Sequence, residues 1–175
     1  MGTGTFGKAY LVSSKLTGQL WVIKKIDLLG LEYTERVKAR EEARILEVLN
    51  HPNIIKFKDV YKNRVKGHEL FLNVVMEYAD DGELALKIKK RRLARQVFSE
   101  DEIINYFTQI CLALKHCHDR KILHRDLKAS NVFLTRSGIC KLGDFGMSRV
   151  LDGTREKAQS IVGTPLYLAP EILKQ

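Results

Sequence analysis

The stretch that most constrains this chain is ILHRDLKASNVFL at residues 122–134, followed six residues later by KLGDFG at 141–146. It reads as short extended pieces and loops, in which four polar residues are set at fixed intervals. Asp126, held in a loop, can accept the proton of an incoming hydroxyl, and Lys128, two residues on, can neutralise a transferring phosphate. Asn131 and Asp144 offer the hard oxygen ligands that Mg²⁺ takes, here two ions bridging the β- and γ-phosphates of a nucleotide. Phosphoryl transfer needs little covalent help, so positioning and charge neutralisation supply most of the catalysis. Singly, any of these residues is an ordinary turn former. In this order and spacing, chance agreement is negligible.

The first residues, MGTGTFGKAYLV, contain Gly2, Gly4 and Gly7 as G-x-G-x-x-G, a weak signal by itself. In a dinucleotide-binding fold the third glycine opens a helix after a strand, with an acidic residue about 20 positions on, where Asp27 stands. Here the residues after Gly7 are expected to continue as a strand and no strand is expected before Met1, so that context is not expected. The second meaning is a glycine hairpin over ATP phosphates, whose bare backbone lets N–H groups approach the oxygens. The third is an ordinary glycine-rich turn. Lys24 lies 17 residues beyond Gly7 on the next strand and, pointing inward, needs a partner. Glu42 is the best candidate, because it shares a helix face with Leu46 while Glu41 is rotated away. Such a pair would hold the lysine against the α- and β-phosphates.

The chain divides into two halves. Lys8–Ser13 and Leu20–Ile26 flank a Thr17-Gly18 turn and predict a β-hairpin. A helix is predicted from about Glu32 to Leu49, with Ala39, Ala43, Leu46 and Leu49 on one side, stopped by Asn50-His51-Pro52. Strands are expected near Ile54–Tyr61 and Leu70–Tyr78. In the second half, Ser99 and Glu102 form a capping box, and Ile103, Phe107, Ile110, Leu114 and Cys117 follow at helical spacing. The expected class is α+β: a small antiparallel sheet with one helix, then a helix-led lobe.

Composition narrows the class further. At 45% hydrophobic over 175 residues the chain can bury a core, and its longest apolar run, Leu70–Ala79, is broken by Asn73 and Glu77 and too short to span a bilayer. The first residues lack the basic and apolar regions expected of a signal peptide, and Phe6 stands where myristoylation needs Ser or Thr. Cys111, Cys117 and Cys140 are scattered and odd in number, as expected of reduced core thiols. A cytosolic or nuclear protein is expected, with no membrane partner. Of the net charge of +9, six basic residues fall in LKIKKRRLAR at 86–95. That run is a docking strip for acidic partners, a nuclear-import signal or, most commonly for such runs, a solvated helix face. No aromatic is interleaved to stack on bases, so nucleic acid is an unfavoured partner.

GTGTFG, VIK, HRDLKASN, DFG and APE stand in one order along the whole chain, and in this the sequence resembles the eukaryotic protein kinases. The resemblance implies the two-lobed kinase fold, residues 1–78 forming the first lobe and the start of the hinge and 79–175 the second. It implies ATP and Mg²⁺ as cofactors and protein substrates. Asp126 would be the catalytic base with Lys128 beside it, Asn131 and Asp144 the metal ligands, and Lys24 with Glu42 the activating ion pair. Gly2, Thr3, Gly4, Thr5, Phe6, Gly7, Lys8 and Ala9 would cover the nucleotide. Met76 would stand behind the adenine, the backbone of Glu77 and Ala79 would bond it, and Glu83 would reach the ribose. Leu46, Phe57, His124 and Phe145 match the apolar stack of the active state. Lys128 together with Thr164 resembles the serine/threonine type. FGKAYLV, Gly143 and SRVLDGT resemble the NIMA-related kinases, a family linked to mitosis, centrosomes, microtubules and cilia.

Ser160 matches that family's activation-loop phosphosite, and a phosphate there is expected to pair with Arg125. Kinases continue past APE with helices that anchor the catalytic loop and pair with Glu171, so the second lobe is expected to be incomplete. The apolar face of the helix from Glu100 to His118 would then lose cover and offer itself to a partner. Three functions follow from these residues: a protein serine/threonine kinase, a catalytically impaired ATP-binding or scaffolding module, and, on Asp27 and the glycines alone, a dinucleotide-binding enzyme.

Overall fold

The computed structural model describes residues 3–4, 7–65, 68–151 and 163–173. They form two compact units. One contains the described residues up to Asn50 together with Ile55–Tyr78; the other contains His51–Ile54 and the described residues from Ala79 onward.

In the first unit, β1 (Thr3–Gly4), β2 (Gly7–Ser13) and β3 (Leu20–Asp27) lead to helix α1 (Tyr33–Val48), followed by β4 (Phe57–Val65) and β5 (His68–Glu77). The five strands make one antiparallel sheet in the order β1-β2-β3-β5-β4. The expected turn is present between β2 and β3, where Gly18 N–H donates to the Ser14 carbonyl at 2.8 Å. A Cβ on Gly7 would run into the Lys25 carbonyl oxygen, so glycine is required there to keep β2 against β3. α1 starts where expected: the Glu35 carboxylate accepts the Glu32 N–H at 3.0 Å. Ala39, Ala43, Leu46 and Leu49 are all buried, and Ile45 joins them.

The strand expected at Ile54–Tyr61 is shifted, beginning only at Phe57. Ile54 instead makes a parallel bridge to Leu142 in the second unit, and the Leu142 N–H donates to the Asn53 carbonyl at 2.8 Å. The Asn53 amide reaches the Gln109 side chain at 2.7 Å and the Cys140 carbonyl at 3.1 Å. The apolar pair that reads as a strand start is thus buried, but Ile54 belongs to the second unit and is spent on that unit's hairpin, while Ile55 belongs to the first.

The second unit runs through α2 (Leu84–Leu93), α3 (Glu100–Asp119), β6 (Ile122–Leu123), β7 (Val132–Leu134), β8 (Cys140–Leu142), β9 (Arg149–Val150) and α4 (Pro170–Leu173). β7 and β8 form a hairpin, and β6 pairs with β9. Ser99 caps α3, its hydroxyl accepting the Glu102 N–H at 3.2 Å while the Glu102 carboxylate accepts the Ser99 N–H at 3.0 Å. Of the expected apolar face of α3, Cys117 is buried and Ile110 and Leu114 are half-buried, whereas Ile103 and Phe107 are exposed. The thiols divide likewise. Cys117 and Cys140 are core residues whose thiols burial pushes up to about 11 each, but Cys111 is exposed, so the expectation of three core thiols holds for two. Among the described residues no helix is long and apolar enough to cross a membrane.

Candidate active site

Between β6 and β7 the chain runs through a loop that ends in a single 3-10 turn at Ala129–Asn131. Asp126 lies in this loop at 6% exposure. Its Oδ1 accepts the Thr164 hydroxyl at 2.7 Å, and its Oδ2 accepts the Lys128 ammonium at 2.8 Å and the Asn131 amide at 3.0 Å. Lys128 also donates to the Thr164 hydroxyl oxygen at 2.8 Å. Burial by itself pushes the Asp126 carboxyl up, but the hydrogen bonds from Lys128, Thr164 and Asn131 together outweigh it and hold the group below its usual value. An ionised carboxylate therefore receives an alcohol hydroxyl on one oxygen, with an ammonium against its other oxygen and against the hydroxyl oxygen itself. A carboxylate placed in this way can accept the proton of an alcohol.

Asn131 gives its side-chain nitrogen to both the Asp126 carbonyl, at 2.8 Å, and the Asp126 carboxylate. Its side-chain oxygen is the atom left for a ligand. The Gly143 N–H donates to the Asn131 backbone carbonyl at 2.9 Å, which ties the residue preceding Asp144 to this loop. Two hard oxygens from Asn131 and Asp144 suit Mg²⁺, which keeps several waters and shares phosphate oxygens. No group of three or more His, Cys, Asp or Glu among the described residues forms an all-protein metal cage.

Two residues here hold left-handed backbones that side chains disfavour: Arg125 at φ 63° and Asp144 at φ 55°. Arg125 is fixed by its Nε donating to the Met147 carbonyl at 2.6 Å. Gly163, at φ 129°, lies so close to the Arg125 carbonyl that a Cβ would stand 2.8 Å from it, which explains a glycine beside Thr164. His124 is buried against Phe145, ring centroids 4.8 Å apart. Its Nε2 is 3.0 Å from the Gly143 carbonyl and its Nδ1 accepts the Asp126 N–H at 3.3 Å, so the ring is neutral with the proton on Nε2.

Burial lowers His124 from 6.5, and burial followed by the Arg120 charge lowers His51 and His116. With folded values below unfolded ones, the unfolded chain takes protons first. Stability is complete above about pH 6.5 and is lost as pH falls through it, by up to about 1.4 kcal/mol per pH unit from His124. The melting temperature should drop from neutral to mildly acidic pH; a flat profile down to about pH 5 would contradict this.

In the first unit, Lys24 Nζ lies 2.6 Å from Glu42 Oε1, with Glu42 buried and Glu41 exposed. The pair is short and Glu42 is buried, so neutralising either partner would destabilise the first unit. Ala9 faces Lys24 across the β2–β3 ladder, Gly4 faces Gly7, and Thr3 faces Lys8. Met76 and Glu77 end β5, and the Glu77 N–H is engaged by the Lys56 carbonyl at 2.9 Å. Ala79 is buried, and Glu83 is the N-cap of α2 and bridges to Phe133. Gly2, Thr5, Phe6 and Ser160 lie outside the described residues. The sequence marks Thr164 and Gly163 only as part of a motif. Neither the hydroxyl's bond to Asp126 nor the close approach to Arg125 carries a signal in the residue pattern.

The family model of the protein kinase domain matches residues 1–175. This chain belongs to the protein kinase family. Among curated kinases, it is 46% identical over 172 residues to serine/threonine-protein kinase Nek1 of Mus musculus, covering 98% of this chain and 14% of that relative. It is 45% identical over 173 residues to serine/threonine-protein kinase Nek5 of Homo sapiens, covering 98% of this chain and 23% of the relative. Serine/threonine-protein kinase Nek3 of Mus musculus matches at 43% over 172 residues, 98% of this chain and 32% of the relative. The kinase chain therefore spans less than a third of the length of these curated relatives. The α+β architecture, with an antiparallel sheet and one helix in the first unit, agrees with this family.

Proposed function

We propose that this chain transfers the γ-phosphoryl group of ATP to serine or threonine hydroxyls of protein substrates. The observation that carries the proposal is the Thr164 hydroxyl donating to Asp126 beside Lys128. A substrate hydroxyl bound in the same way would donate to Asp126 Oδ1. Its oxygen would bond to the γ-phosphorus as the bond to the β–γ bridging oxygen breaks, leaving ADP and a proton on Asp126. Lys128 would offset charge on the transferring group. Asn131 and Asp144 would hold Mg²⁺, which when bound neutralises the phosphates. Lys24, oriented by Glu42, would take the α- and β-phosphates. Gly2 to Ala9 would cover them, Met76, Glu77 and Ala79 would hold the adenine, and Glu83 would hold the ribose. By its resemblance to the NIMA-related kinases, the protein would act in cell-cycle, microtubule or ciliary regulation, in the cytoplasm or at cytoskeletal structures.

The test is transfer of labelled phosphate from Mg-ATP to a generic basic protein, followed by analysis of which amino acid carries the label. Label on serine and threonine, absent with Asp126→Asn, is the expected result. ATP binding without transfer would leave a nucleotide-binding scaffold in its place.

Regulation by phosphate at Ser160 is part of the same proposal. Burial lowers the Arg125 guanidinium from its usual value and the charge of Arg149 adds to this, so a phosphate beside Arg125 would be favoured by its charge. Protein phosphorylated at Ser160 should be at least about tenfold more active than Ser160→Ala, which corresponds to about 1.4 kcal/mol in the barrier. Equal activity of the two would refute it.

A further inference from the structure

The basic run at 86–95 is not used by the phosphotransfer residues, and the structure divides it into two parts. Lys87 donates to the Asp81 carboxylate at 3.0 Å. Arg91 grips Glu102 with two bonds, at 2.8 and 2.5 Å, and stacks on Phe98 with its guanidinium carbon 4.1 Å from the ring centre. These two cations fasten the inner face of α2 to the rest of its unit. Lys89, Lys90, Arg92 and Arg95 are exposed and meet no acidic partner among the described residues. No aspartate or glutamate stands anywhere from Leu84 to Phe98 to offset them.

The same outer face carries leucines that a merely solvated helix has no use for. Leu86 is 58% exposed and Leu93 is 76% exposed. They are seven residues apart, on one line two turns long, with Lys89 and Lys90 between them at the third and fourth positions and Arg92 beside them. The end of the helix adds an independent sign. α2 closes with the Arg95 N–H donating to the Arg92 carbonyl at 3.1 Å and the Gln96 N–H donating to the Arg91 carbonyl at 2.9 Å. This closure puts its left-handed residue where glycine is favoured, and here that residue is Arg95 at φ 53°. An arginine holds a disfavoured backbone while its side chain makes no hydrogen bond or ion pair among the described residues.

We propose that the outer face of α2, made by Leu86, Lys89, Lys90, Arg92, Leu93 and Arg95, docks an acidic segment of a partner protein that carries two apolar residues about two helical turns apart. Carboxylates of the partner meet the four unpaired cations, and its apolar residues cover Leu86 and Leu93. Nucleic acid is disfavoured because this face has no aromatic to stack on a base. An anionic membrane is disfavoured because only two leucines stand among four charges, with no Trp or Phe to enter the interface.

The probe is a fluorescein-labelled peptide of Glu and Asp, about four turns long, with two leucines two turns apart, followed by fluorescence anisotropy with the whole chain. Binding should weaken as salt rises. Lys89→Glu with Arg92→Glu should weaken it about tenfold or more, and Leu86→Ser with Leu93→Ser several-fold, while phosphate transfer to a generic substrate is unchanged. Arg95→Gly should raise the melting temperature and weaken peptide binding together, a pairing that no purely structural role produces. A leucine-free peptide binding equally well would reduce the face to plain charge attraction and overturn the proposal. So would tighter binding to a single-stranded oligonucleotide or to phosphatidylserine vesicles, absence of peptide binding, or Arg95→Gly stabilising the chain with binding intact.

Discussion

Asp126→Asn is expected to lower the rate of phosphate transfer by about 10²–10⁴ while leaving the affinity for ATP essentially unchanged. The reason is local. Both Asp126 oxygens are acceptors, Oδ1 for the Thr164 hydroxyl and Oδ2 for Lys128 and Asn131. An asparagine must turn an N–H₂ group towards one of these donors, so it loses either the hydroxyl it should activate or the ammonium beside the transferring group. With its carboxyl held below the usual value, Asp126 is ionised at neutral pH, as the proposed base must be to accept the hydroxyl proton. Steady-state kinetics with labelled ATP decides the matter: a variant within tenfold of the parent means that Asp126 is not the base.

Asp144→Asn should have an effect at least as large, about 10³ or more in transfer rate, equivalent to roughly 4 kcal/mol of lost stabilisation of the phosphate charge. This substitution isolates charge from shape. Asp144 holds a left-handed backbone at φ 55°, and asparagine is among the side chains that tolerate that conformation best. The fold should therefore survive, with an unchanged melting temperature in the absence of nucleotide. What should vanish is the extra stability given by Mg-ATP over ATP alone. Retention of that increment in the variant would remove Asp144 from the metal site.

How much of this was legible in the residues differs from element to element. The helix holding Glu42 was readable to within a residue, because its apolar side follows a 3.6 period and the same period separates buried Glu42 from exposed Glu41. The capping box fixed the start of α3 for a similar reason, since it is a local pattern of side chain to backbone bonds. The strand at Ile54 was misplaced because an apolar pair has no mark of which unit it will serve. Only the hairpin carrying Cys140 and Leu142, far along the chain, decides that. The motif order pointed to Asp126, Lys128, Asn131 and Asp144 as one group, and the structure brings the first three into mutual contact. The left-handed conformations of Arg125, Asp144 and Arg95 were not legible, because non-glycine residues reach that region only when tertiary or capping contacts impose it.

The uneven burial of the three thiols turns the chain into its own gauge of integrity. Cys117 and Cys140, sealed in the second unit with thiols pushed up to about 11, are closed to a maleimide at neutral pH, whereas Cys111 is open on the surface of α3. A mass measurement after brief labelling should thus show one adduct on an intact molecule and three once that unit opens. The same exposed sulfur gives a dye or spin label one defined point of attachment, with no residue of the candidate active site altered.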